Sequence, residues 1–501
     1  MRNERLTRRV KSLIHAGWFG ILLTLCACSD GGRSTSRTAD HAPAIFPDYT
    51  EVTIPYNIAP LCFRLADSCD SKQAFALFEM DGRKLEIKAG NGQFNIPLRG
   101  WKKLLAHAAG KTLQVTLTAL TAGEWVRYQT FNIYVAEEPA DPYIAYRLIE
   151  PGYEVWNGMG IYQRNIETFD ESAIVTNAHT NYNCMNCHSF CMQNPDRMLF
   201  HYRESFAGTM LLDGDRIEKL NTKTPGAMSS PVYPSWHPSG KYVAFSVNDT
   251  KQAFHTTDRN RIEVFDLASD VVVYDVGRHE IITAPPLFSP HVFETFPTFS
   301  PDGRTLYFCT ADSVRMPHDY ENVKYSLCSI TFDPEMRRFG TGVDTLYNAR
   351  QMKKSVSFPR VSPDGRFLMF TLAGYGNFSI WHRDADLYLL HLDSRLIMPL
   401  DAINSSDTES YHSWSSNGRW VVFSSRRIDG LYTRLYLAHI DEQGQASKPF
   451  LLPQKDVDFY GRFMKSYNVP EFITGKVRRN SYDFSRRAIS DEGTPVTFNI
   501  Q

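Results

Sequence analysis

Two cysteines and a histidine form the pattern with the clearest chemistry in this sequence. Cys184 and Cys187 are separated by two residues, and His188 follows at once. This spacing is typical of covalent haem attachment, because each thiol can add to one vinyl group of the porphyrin and a single tight turn reaches both. The next residue then lies under the ring, where an imidazole can bind the iron as its proximal ligand. We therefore expect haem c, held by the two thiols, with His188 bound to the iron.

Three other interpretations of the two cysteines stay open at this point. They could form a small redox disulfide, supply half of a zinc site, or have no joint role. Haem attachment by this route requires an exported chain, and the beginning of the sequence indicates export.

The first 27 residues have the features of a secretory signal. Five basic side chains precede an apolar run over residues 13–25, which is too short to span a membrane as a helix. The sequence Leu25-Cys26-Ala27-Cys28 resembles a bacterial lipobox, in which Cys28 would be diacylated and would begin the mature chain. Ordinary cleavage nearby, with Cys28 free, is the alternative. Residues 28–44 are polar and rich in glycine and serine, which favours a flexible tether.

Location and charge define the expected partners. Acyl chains on Cys28 would anchor the protein to a membrane surface. Ser29 carries no charge, and by resemblance to the enterobacterial sorting rule this favours the outer membrane, facing the periplasm, with exposure at the cell surface as the alternative. The 54 basic and 55 acidic residues give a formal net charge of −1, and the sequence has no basic tract. We therefore do not expect a nucleic acid partner.

Residues 45–136 predict a small β domain. Short alternating runs are separated by turns such as Asp81-Gly82, with the spacing of an immunoglobulin-like or fibronectin-like sandwich. One amphipathic stretch, residues 101–109, predicts a helix. The sequence places no cluster of catalytic side chains here, so we interpret the domain as a spacer or docking module. Residues 137–142, with their prolines and acidic side chains, predict a linker.

Residues 143–480 contain a repeated pattern of two short strands joined by a turn. The turn glycines lie 63, 62 and 53 residues apart, at Gly240, Gly303, Gly365 and Gly418. The first strand of each repeat enters a turn that needs glycine for its positive φ, and the second strand ends in a phenylalanine. A repeat of this length, whose single unit cannot bury both of its faces, predicts four-stranded units stacked into a ring.

This pattern resembles the WD40-like (PD40) repeats of the TolB-type β-propeller family. The turns at residues 300–303 and 362–365 match the repeat most closely. The resemblance implies an all-β protein, in which an N-terminal immunoglobulin-like sandwich precedes a six-bladed propeller over residues 143–480. It also implies a protein partner at the propeller rim or in its channel.

The two ends of the repeat region complete the expected ring. One degenerate blade begins at the haem motif, residues 184–188. The sixth blade would combine residues 143–164 with residues 463–473 and so join the beginning of the ring to its end. We expect residues 481–501 to be a C-terminal tail.

The overlay of the repeats also indicates a distal iron ligand. Aligning residues 195–197 with residues 301–304 places His201 where the other repeats carry Phe245, Phe308, Phe370 and Phe423. A buried imidazole needs a partner, since an unsatisfied polar group costs about 1–3 kcal/mol, and the haem iron could be that partner. A core histidine bonded to a backbone carbonyl is the alternative. The competing distal candidates are Met192, Met198, His179 and His255.

The remaining charged stretches and cysteines are weaker indications of function. Two charged stretches, residues 381–386 and 425–430, are interpreted as solvated loops with Asp-Gly turn chemistry. An exported chain can form disulfides, and Cys62 with Cys69 or Cys309 with Cys328 could pair, which would leave Cys191 over. The sequence does not decide these pairings.

Three functions follow from these features. The first is an exported, lipid-anchored, mono-haem c-type cytochrome for electron transfer or redox sensing in a bacterial envelope, where the haem carries the redox chemistry. The second is a non-redox lipoprotein whose propeller binds a protein, peptidoglycan or glycan, with structural cysteines. The third is an enzyme such as a haem peroxidase, which requires an open distal site. The fold alone does not separate them.

Overall fold

The computed structural model describes residues 36–66, 71–151, 157–490 and 492–501. The predicted signal peptide (residues 1–27), the lipidation site Cys28 and the cysteine Cys69 therefore lie outside the described residues. The described part contains 36 strands and four short α-helices, which confirms the predicted all-β class. Within these ranges, no helix is both long enough and apolar enough to cross a membrane.

A small β domain precedes the repeat region. Its larger sheet contains seven strands: Arg37–Thr38, Val52–Pro55, Ser71–Met80, Arg83–Lys88, Thr112–Thr121, Glu124–Arg127 and Phe131–Ala136. Its smaller sheet contains three: Ile45–Phe46, Phe63–Leu65 and Gln93–Phe94. The helix Leu98–Leu105 begins three residues earlier than predicted, directly after Pro97. Trp101 anchors it, since this side chain is fully buried and its Nε1 donates to the Ile58 carbonyl at 3.0 Å.

The second half of the predicted tether belongs to this domain. Arg37–Thr38 pairs in parallel with Val126 and Arg127, and Ala39 is buried in the domain core. The composition of residues 28–44 suggested a flexible segment, but the backbone of its later residues completes a sheet edge.

The repeat region forms six sheets. The first combines Tyr143–Ile149, Gly160–Asn165 and Glu171–Thr176 with Ser466–Ile473 from near the end of the chain. The second contains Met185–Phe190, Arg197–Tyr202, Gly208–Asp213 and Arg216–Asn221. The third contains Pro231–Trp236, Tyr242–Phe254, Ile262–Asp275 and Glu280–Thr283.

The remaining three sheets follow in chain order. The fourth contains Val292–Phe299, Thr305–Asp312, Ser326–Asp333 and Arg338–Tyr347. The fifth contains Ser355–Val361, Phe367–Ala373, Asp386–His391 and Ile397–Pro399. The sixth contains Glu409–Trp414, Trp420–Ser425, Arg434–His439 and Phe450–Leu451.

One edge strand of each sheet contacts the corresponding strand of the next sheet. These inner strands are Ser466–Ile473, Met185–Phe190, Pro231–Trp236, Val292–Phe299, Ser355–Val361 and Glu409–Trp414. Each contacts the one after it in this order, and the last contacts the first. The six sheets therefore follow one another in a closed cycle of contacts.

Residues 481–501 are not a free tail. They contain the helix Ser481–Ser490, which buries Phe484 and Ala488 completely. Two short strands follow, of which Thr494–Pro495 pairs in parallel with the second sheet and Thr497–Ile500 with the third. Phenylalanine and alanine four residues apart lie on one helix face, and this face supplies the apolar area that holds the segment in place.

The small domain packs against the sixth sheet and the segment that follows it. The Tyr49 hydroxyl donates to the Leu451 carbonyl at 3.3 Å. The Asp458 carboxylate accepts from Arg64 Nε at 3.2 Å and from Gln93 Nε2 at 2.7 Å. The predicted linker is docked as well, since the Asp141 carboxylate accepts from the backbone N–H of Ser416 at 2.7 Å.

Candidate functional site

Every inner strand carries a β-bulge at the same position. The bulge residue has a positive φ of 49° to 53° in Cys187, Tyr233, Phe296, Phe358, Tyr411 and Val469, and the strand pairing shifts at each of them. None is glycine, although a positive φ costs most other residues about 1–2 kcal/mol. Bulges of this kind redirect a side chain. Cys187 therefore occupies the position that carries an aromatic residue in four of the other five inner strands and Val469 in the fifth.

Four of the side chains at these bulges pack against one another. The ring centroid of Phe296 lies 4.4 Å from that of Tyr233 and 4.2 Å from that of Phe358, which in turn lies 4.7 Å from Tyr411. Cys187 belongs to this group, because its side chain lines the same cavity as those of Tyr233, Phe358 and Tyr411. A small, reactive side chain thus replaces an aromatic ring beside two tyrosines.

A cavity of about 640 Å³ lies at this point and brings the predicted haem residues together. Cys184, Cys187 and His188 all line one of its walls. The volume falls in the range of about 300–1,000 Å³ that is usual for cofactor sites. The inner strands of the first, third, fifth and sixth sheets and the long hairpin of the third sheet contribute the rest of the lining.

The walls of the cavity differ in polarity. Exposed cations lie at its mouth, where Arg203 and Lys223 contribute to the lining, and half-buried Arg147 lies beside them. Arg203 is held by Asn186, whose amide oxygen accepts from Nε at 3.2 Å and from Nη2 at 2.9 Å. Another part of the lining is apolar and aromatic, with Val232, Ile262, Val264, Phe358, Phe378, Ile380 and Trp381.

His188 is a buried imidazole without a satisfactory partner. Its side chain is almost fully buried, with the residue 2% exposed, and neither Nδ1 nor Nε2 forms a hydrogen bond of normal geometry. Burial, aided by the positive charge of Arg147, lowers the pKa of His188 from 6.5 to about 3, and the Val469 backbone opposes this weakly. His188 is therefore neutral at pH 7. A neutral imidazole with both nitrogens unsatisfied is a group that a metal could complete.

The two thiols are free and partly accessible. No disulfide joins Cys184 to Cys187, and each is half-buried at the cavity wall. Burial raises the pKa of the Cys184 thiol, while Arg147 and Arg203 act in the opposite direction. Among the residues that the structure describes, no group of three or more histidine, cysteine or acidic side chains is placed to hold a metal ion. The second half of a zinc site is thus missing from the described chain.

Cys309 and Cys328 do not pair either. They lie on adjacent strands, but Cys309 is opposite Leu327 and Cys328 is opposite Phe308, one position out of register. Neighbouring positions along a strand face opposite sides of the sheet, so the two thiols point apart and both stay free. Cys62 and Cys191 are also free and buried.

The overlay that placed His201 with the core phenylalanines was wrong by one residue. Ser189 and Leu199 are paired across the second sheet, ten residues apart, whereas Ser235 and Ala244, the corresponding pair in the third sheet, are nine apart. The turn at Cys191–Gln193 accounts for the extra residue, and Met192 inside it has a φ of 49°.

As a result, it is Phe200 that takes the place of Phe245, Phe308, Phe370 and Phe423. His201 corresponds instead to the small residues Ser246, Cys309, Thr371 and Ser424 of the other sheets.

The structure does not bring His201 to the cavity. Its Nδ1 lies 2.8 Å from the Thr209 hydroxyl, its ring packs 5.7 Å from that of Phe245, and it is absent from the cavity walls. The other distal candidates do not line the cavity either: Met192, Met198, His179 and His255. The thioether that does line it, Met159, was not predicted, and its Sδ accepts from the backbone N–H of Met185 at 3.2 Å.

Two residues in the stretches interpreted as solvated loops are part of the cavity wall. Arg426 is 3% exposed, and its guanidinium carbon lies 3.3 Å from the ring centroid of Trp381. Its Nε donates to the Ile380 carbonyl at 2.6 Å, and burial lowers the pKa of Arg426 to about 9. The solvated-loop interpretation was therefore wrong for both residues. For Arg426 this could not be predicted, because charged residues after a strand usually face water.

Comparisons with known proteins assign no family. No family model matches the sequence, and no curated protein matches it. Among solved structures, the chain is similar to the tricorn protease, with 10% identity over 79% of this chain and 43% of the other, and a TM-score of 0.34. It is similar to prolyl oligopeptidase B from Galerina marginata, with 10% identity over 67% of this chain and 42% of the other, and a TM-score of 0.34.

A third likeness is to the periplasmic gluconolactonase of Pseudomonas aeruginosa, with 11% identity over 60% of this chain and 81% of the other, and a TM-score of 0.24. The chain spans less than half the length of the tricorn protease and prolyl oligopeptidase chains. Likenesses this weak assign neither an activity nor a ligand.

The residues of the cavity fit a covalently bound haem. Two free thiols with the required spacing and an unsatisfied imidazole line the cavity, together with exposed cations and a set of apolar and aromatic side chains. A haem group would match both kinds of lining residue, because its porphyrin ring is apolar and its two propionates are anionic.

Proposed function

We propose that residues 143–480 form a six-bladed, TolB-like β-propeller, preceded by an immunoglobulin-like domain. The support is the cyclic order of the six inner strands and the bulge that each strand carries at the same position. The strand Ser466–Ile473 joins the first sheet, so the end of the chain closes the ring that the beginning opens. A ring closed in this way leaves no exposed inner edge.

The propeller, on this proposal, holds haem c through thioether bonds to Cys184 and Cys187, with His188 as the proximal iron ligand. The observation that carries the proposal is the meeting of these three residues in one cavity wall, with both ring nitrogens of His188 lacking a partner. A buried polar group without a partner costs about 1–3 kcal/mol, and coordination would remove that cost. Both ring nitrogens are buried, so binding to iron requires the ring to turn towards the cavity.

The remaining wall residues have two roles in this proposal. The cations Arg147, Arg203 and Lys223 neutralise the propionates, because guanidinium and ammonium groups pair with carboxylates. Phe358, Phe378 and Trp381 exclude water from one face of the ring, which affects the reduction potential. The haem itself supplies one-electron oxidation and reduction when bound. The proposed role is therefore electron transfer or redox sensing, with a protein partner at the propeller rim or channel.

The predicted location is part of the same proposal. A chain lipidated at Cys28 would be anchored to the bacterial envelope, facing the periplasm from the outer membrane. Thioether attachment of haem belongs to exported chains, so the motif and the leader sequence support each other.

Haem staining of a denaturing gel tests the proposal. The full chain, with its own leader, is expressed in a bacterial host that matures c-type cytochromes. We expect a stained band and a Soret absorption for the native chain, and neither for the double variant Cys184→Ser with Cys187→Ser. Cys191→Ala is the matched control, because Cys191 is buried in the turn that follows the strand Met185–Phe190 but does not line the cavity. An unstained native chain that is folded would refute the proposal.

A second candidate function is the binding of an anionic ligand without haem. The observation that favours it is the cationic mouth of the cavity, with Arg147, Arg203 and Lys223. Under this alternative the thiols are structural, and the double cysteine variant lowers stability without removing the function. Native mass spectrometry of the chain from its own host would show a non-covalent ligand instead of a haem adduct.

A further inference from the structure

The cavity offers the iron only one imidazole. Among the residues that line it in the described chain, His188 is the one histidine and Met159 the one methionine. Met159 lies on the same side as the haem motif, since its Sδ is bonded to Met185, the neighbour of Cys184. The five residues 152–156, next to the wall residue Pro151, are Gly-Tyr-Glu-Val-Trp and include neither type. Apart from His188 and Met159, the lining therefore lacks the two side chains that usually fill a sixth coordination position.

The rest of the lining includes hydrogen-bond donors instead. Tyr411 is 5% exposed, lines the cavity, and forms no side-chain hydrogen bond within the described residues. Arg147, Cys187 and Arg426 line the same cavity. A phenol near two guanidinium groups in a buried cavity is suited to a small anionic or polar ligand, because it can donate a hydrogen bond without carrying a charge.

We propose that this chain supplies a single strong axial ligand, His188, and leaves the opposite position of the haem to water or to a small exogenous ligand that the Tyr411 hydroxyl contacts. The inference rests on the proposed haem attachment. The ligand class is a small anion or diatomic molecule, and the side chains around it are Tyr411 and Arg426, with Trp381 holding the guanidinium in place. This replaces His201 as the expected partner on the distal side.

Spectroscopy of the full, haem-loaded chain tests this inference without measuring turnover. The purified ferric protein is examined by absorption and electron paramagnetic resonance, and is then titrated with azide and with cyanide. We expect a high-spin ferric signal and saturable binding of both anions at one site per haem. Tyr411→Phe should weaken azide binding about tenfold, as expected for the loss of one hydrogen bond to a charged ligand. Tyr436→Phe, a buried tyrosine of the same sheet outside the cavity, should leave the affinity unchanged.

The outcomes separate the two proposals. A covalent haem with a low-spin ferric signal and no anion binding would overturn the inference and leave the haem proposal standing. Conversion of that low-spin signal to high spin by Met159→Leu or His201→Ala would identify the sixth ligand. A folded chain without covalent haem would overturn both. The spectrum of the native protein is decisive even where the Tyr411 variant fails to fold.

Discussion

His188 and His412 occupy the same position, directly after the bulge, on the inner strands of the second and sixth sheets, but only His412 has a hydrogen-bond partner. His412 Nε2 lies 3.0 Å from the Met369 carbonyl oxygen, whereas neither nitrogen of His188 is bonded. The other inner strands carry proline at this position, at Pro234, Pro297, Pro359 and Pro470. A fold that accepts proline here does not require an imidazole, so the histidine next to Cys187 needs an explanation outside the fold itself.

This difference predicts opposite effects of one substitution at the two positions. In protein produced without haem maturation, His188→Phe should leave the free energy of unfolding unchanged or raise it by up to about 1 kcal/mol, because it removes an unsatisfied buried polar group. His412→Phe should lower it by about 1 kcal/mol, because a hydrogen bond is lost. Urea denaturation followed by tryptophan fluorescence measures both. Equal destabilisation by the two variants would mean that His188 has a partner in solution.

Acid should destabilise the haem-free protein through its buried histidines. Burial is the main cause that lowers the pKa of His188, His201 and His412 to about 3, against an ordinary value of about 6.5 in the unfolded chain. The unfolded state therefore takes up protons that the folded state does not, and stability is lost as the pH falls from about 6.5 towards 3. Urea midpoints at pH 7, 6 and 5 should decrease steadily, and less steeply in His188→Phe. A flat profile down to pH 5 would contradict the buried, neutral state.

Alkali should destabilise the protein through a buried carboxyl group. Glu294 is 2% exposed and its Oε2 lacks a partner. Burial, followed by the charge of Asp270, raises the pKa of Glu294 to about 9. The folded state thus keeps a proton that the unfolded state releases, and stability falls as the pH rises from about 4.5 towards 9.

Glu294→Gln should therefore raise the urea midpoint at pH 8.5 and change it little at pH 5. The native carboxyl group lowers the free energy of unfolding by about 1.4 kcal/mol for each pH unit above its unfolded pKa, up to the folded pKa, and the amide does not. Glu335→Gln, at an exposed site, is the control. A gain of the same size at both pH values would show that the carboxyl group does not titrate in the folded protein.

Cooperative folding should require the strand Ser466–Ile473 but not the last two strands, Thr494–Pro495 and Thr497–Ile500. Tyr467, Phe472 and Ile473 are at most 1% exposed, and burial of one large apolar side chain contributes about 1.5–3 kcal/mol. A chain that ends at residue 465 should not unfold cooperatively. A chain that ends at residue 493 loses only the two parallel edge strands and should keep a cooperative transition at a lower midpoint.

Phe472→Asp in the full chain separates the closing strand from the helix Ser481–Ser490, which the longer truncation also removes. It should destabilise the protein strongly while the helix sequence is intact. A cooperative transition with an unchanged midpoint, measured by circular dichroism, would contradict the role of this strand in closing the ring.

Much of the β architecture could be predicted because each unit repeats a local signal. The glycine turns and the phenylalanine that follows each of them are set by residues close together in sequence, such as Gly303 and Phe308. The pairing of residues 143–149 with 466–473 agrees with the expectation that the two ends share one sheet, since a ring of repeats leaves its first and last strands unpaired.

Of the residues that line the cavity, only Cys184, Cys187 and His188 could be predicted from the sequence as cofactor-binding residues. Its other polar residues come from separate sheets, with Arg147 on the first, Arg203 after the second strand of the second, and Arg426 after the sixth sheet's second strand. Single charged residues at or after strands look like solvated positions in a sequence, and only the contacts between the sheets place them together. His201 was misaligned because a turn with left-handed, non-glycine residues gives no sequence signal for its length.

The intact mass of the mature chain tests the central claim most directly. The full chain is produced in a host that attaches haem to exported proteins, purified, denatured and weighed by electrospray mass spectrometry, with the Cys184→Ser, Cys187→Ser double variant alongside. We predict that the native chain carries the mass of one haem, retained after denaturation, and that the double variant lacks it. A native chain whose mass is accounted for by polypeptide and lipid alone would contradict the assignment of Cys184, Cys187 and His188 as a haem site.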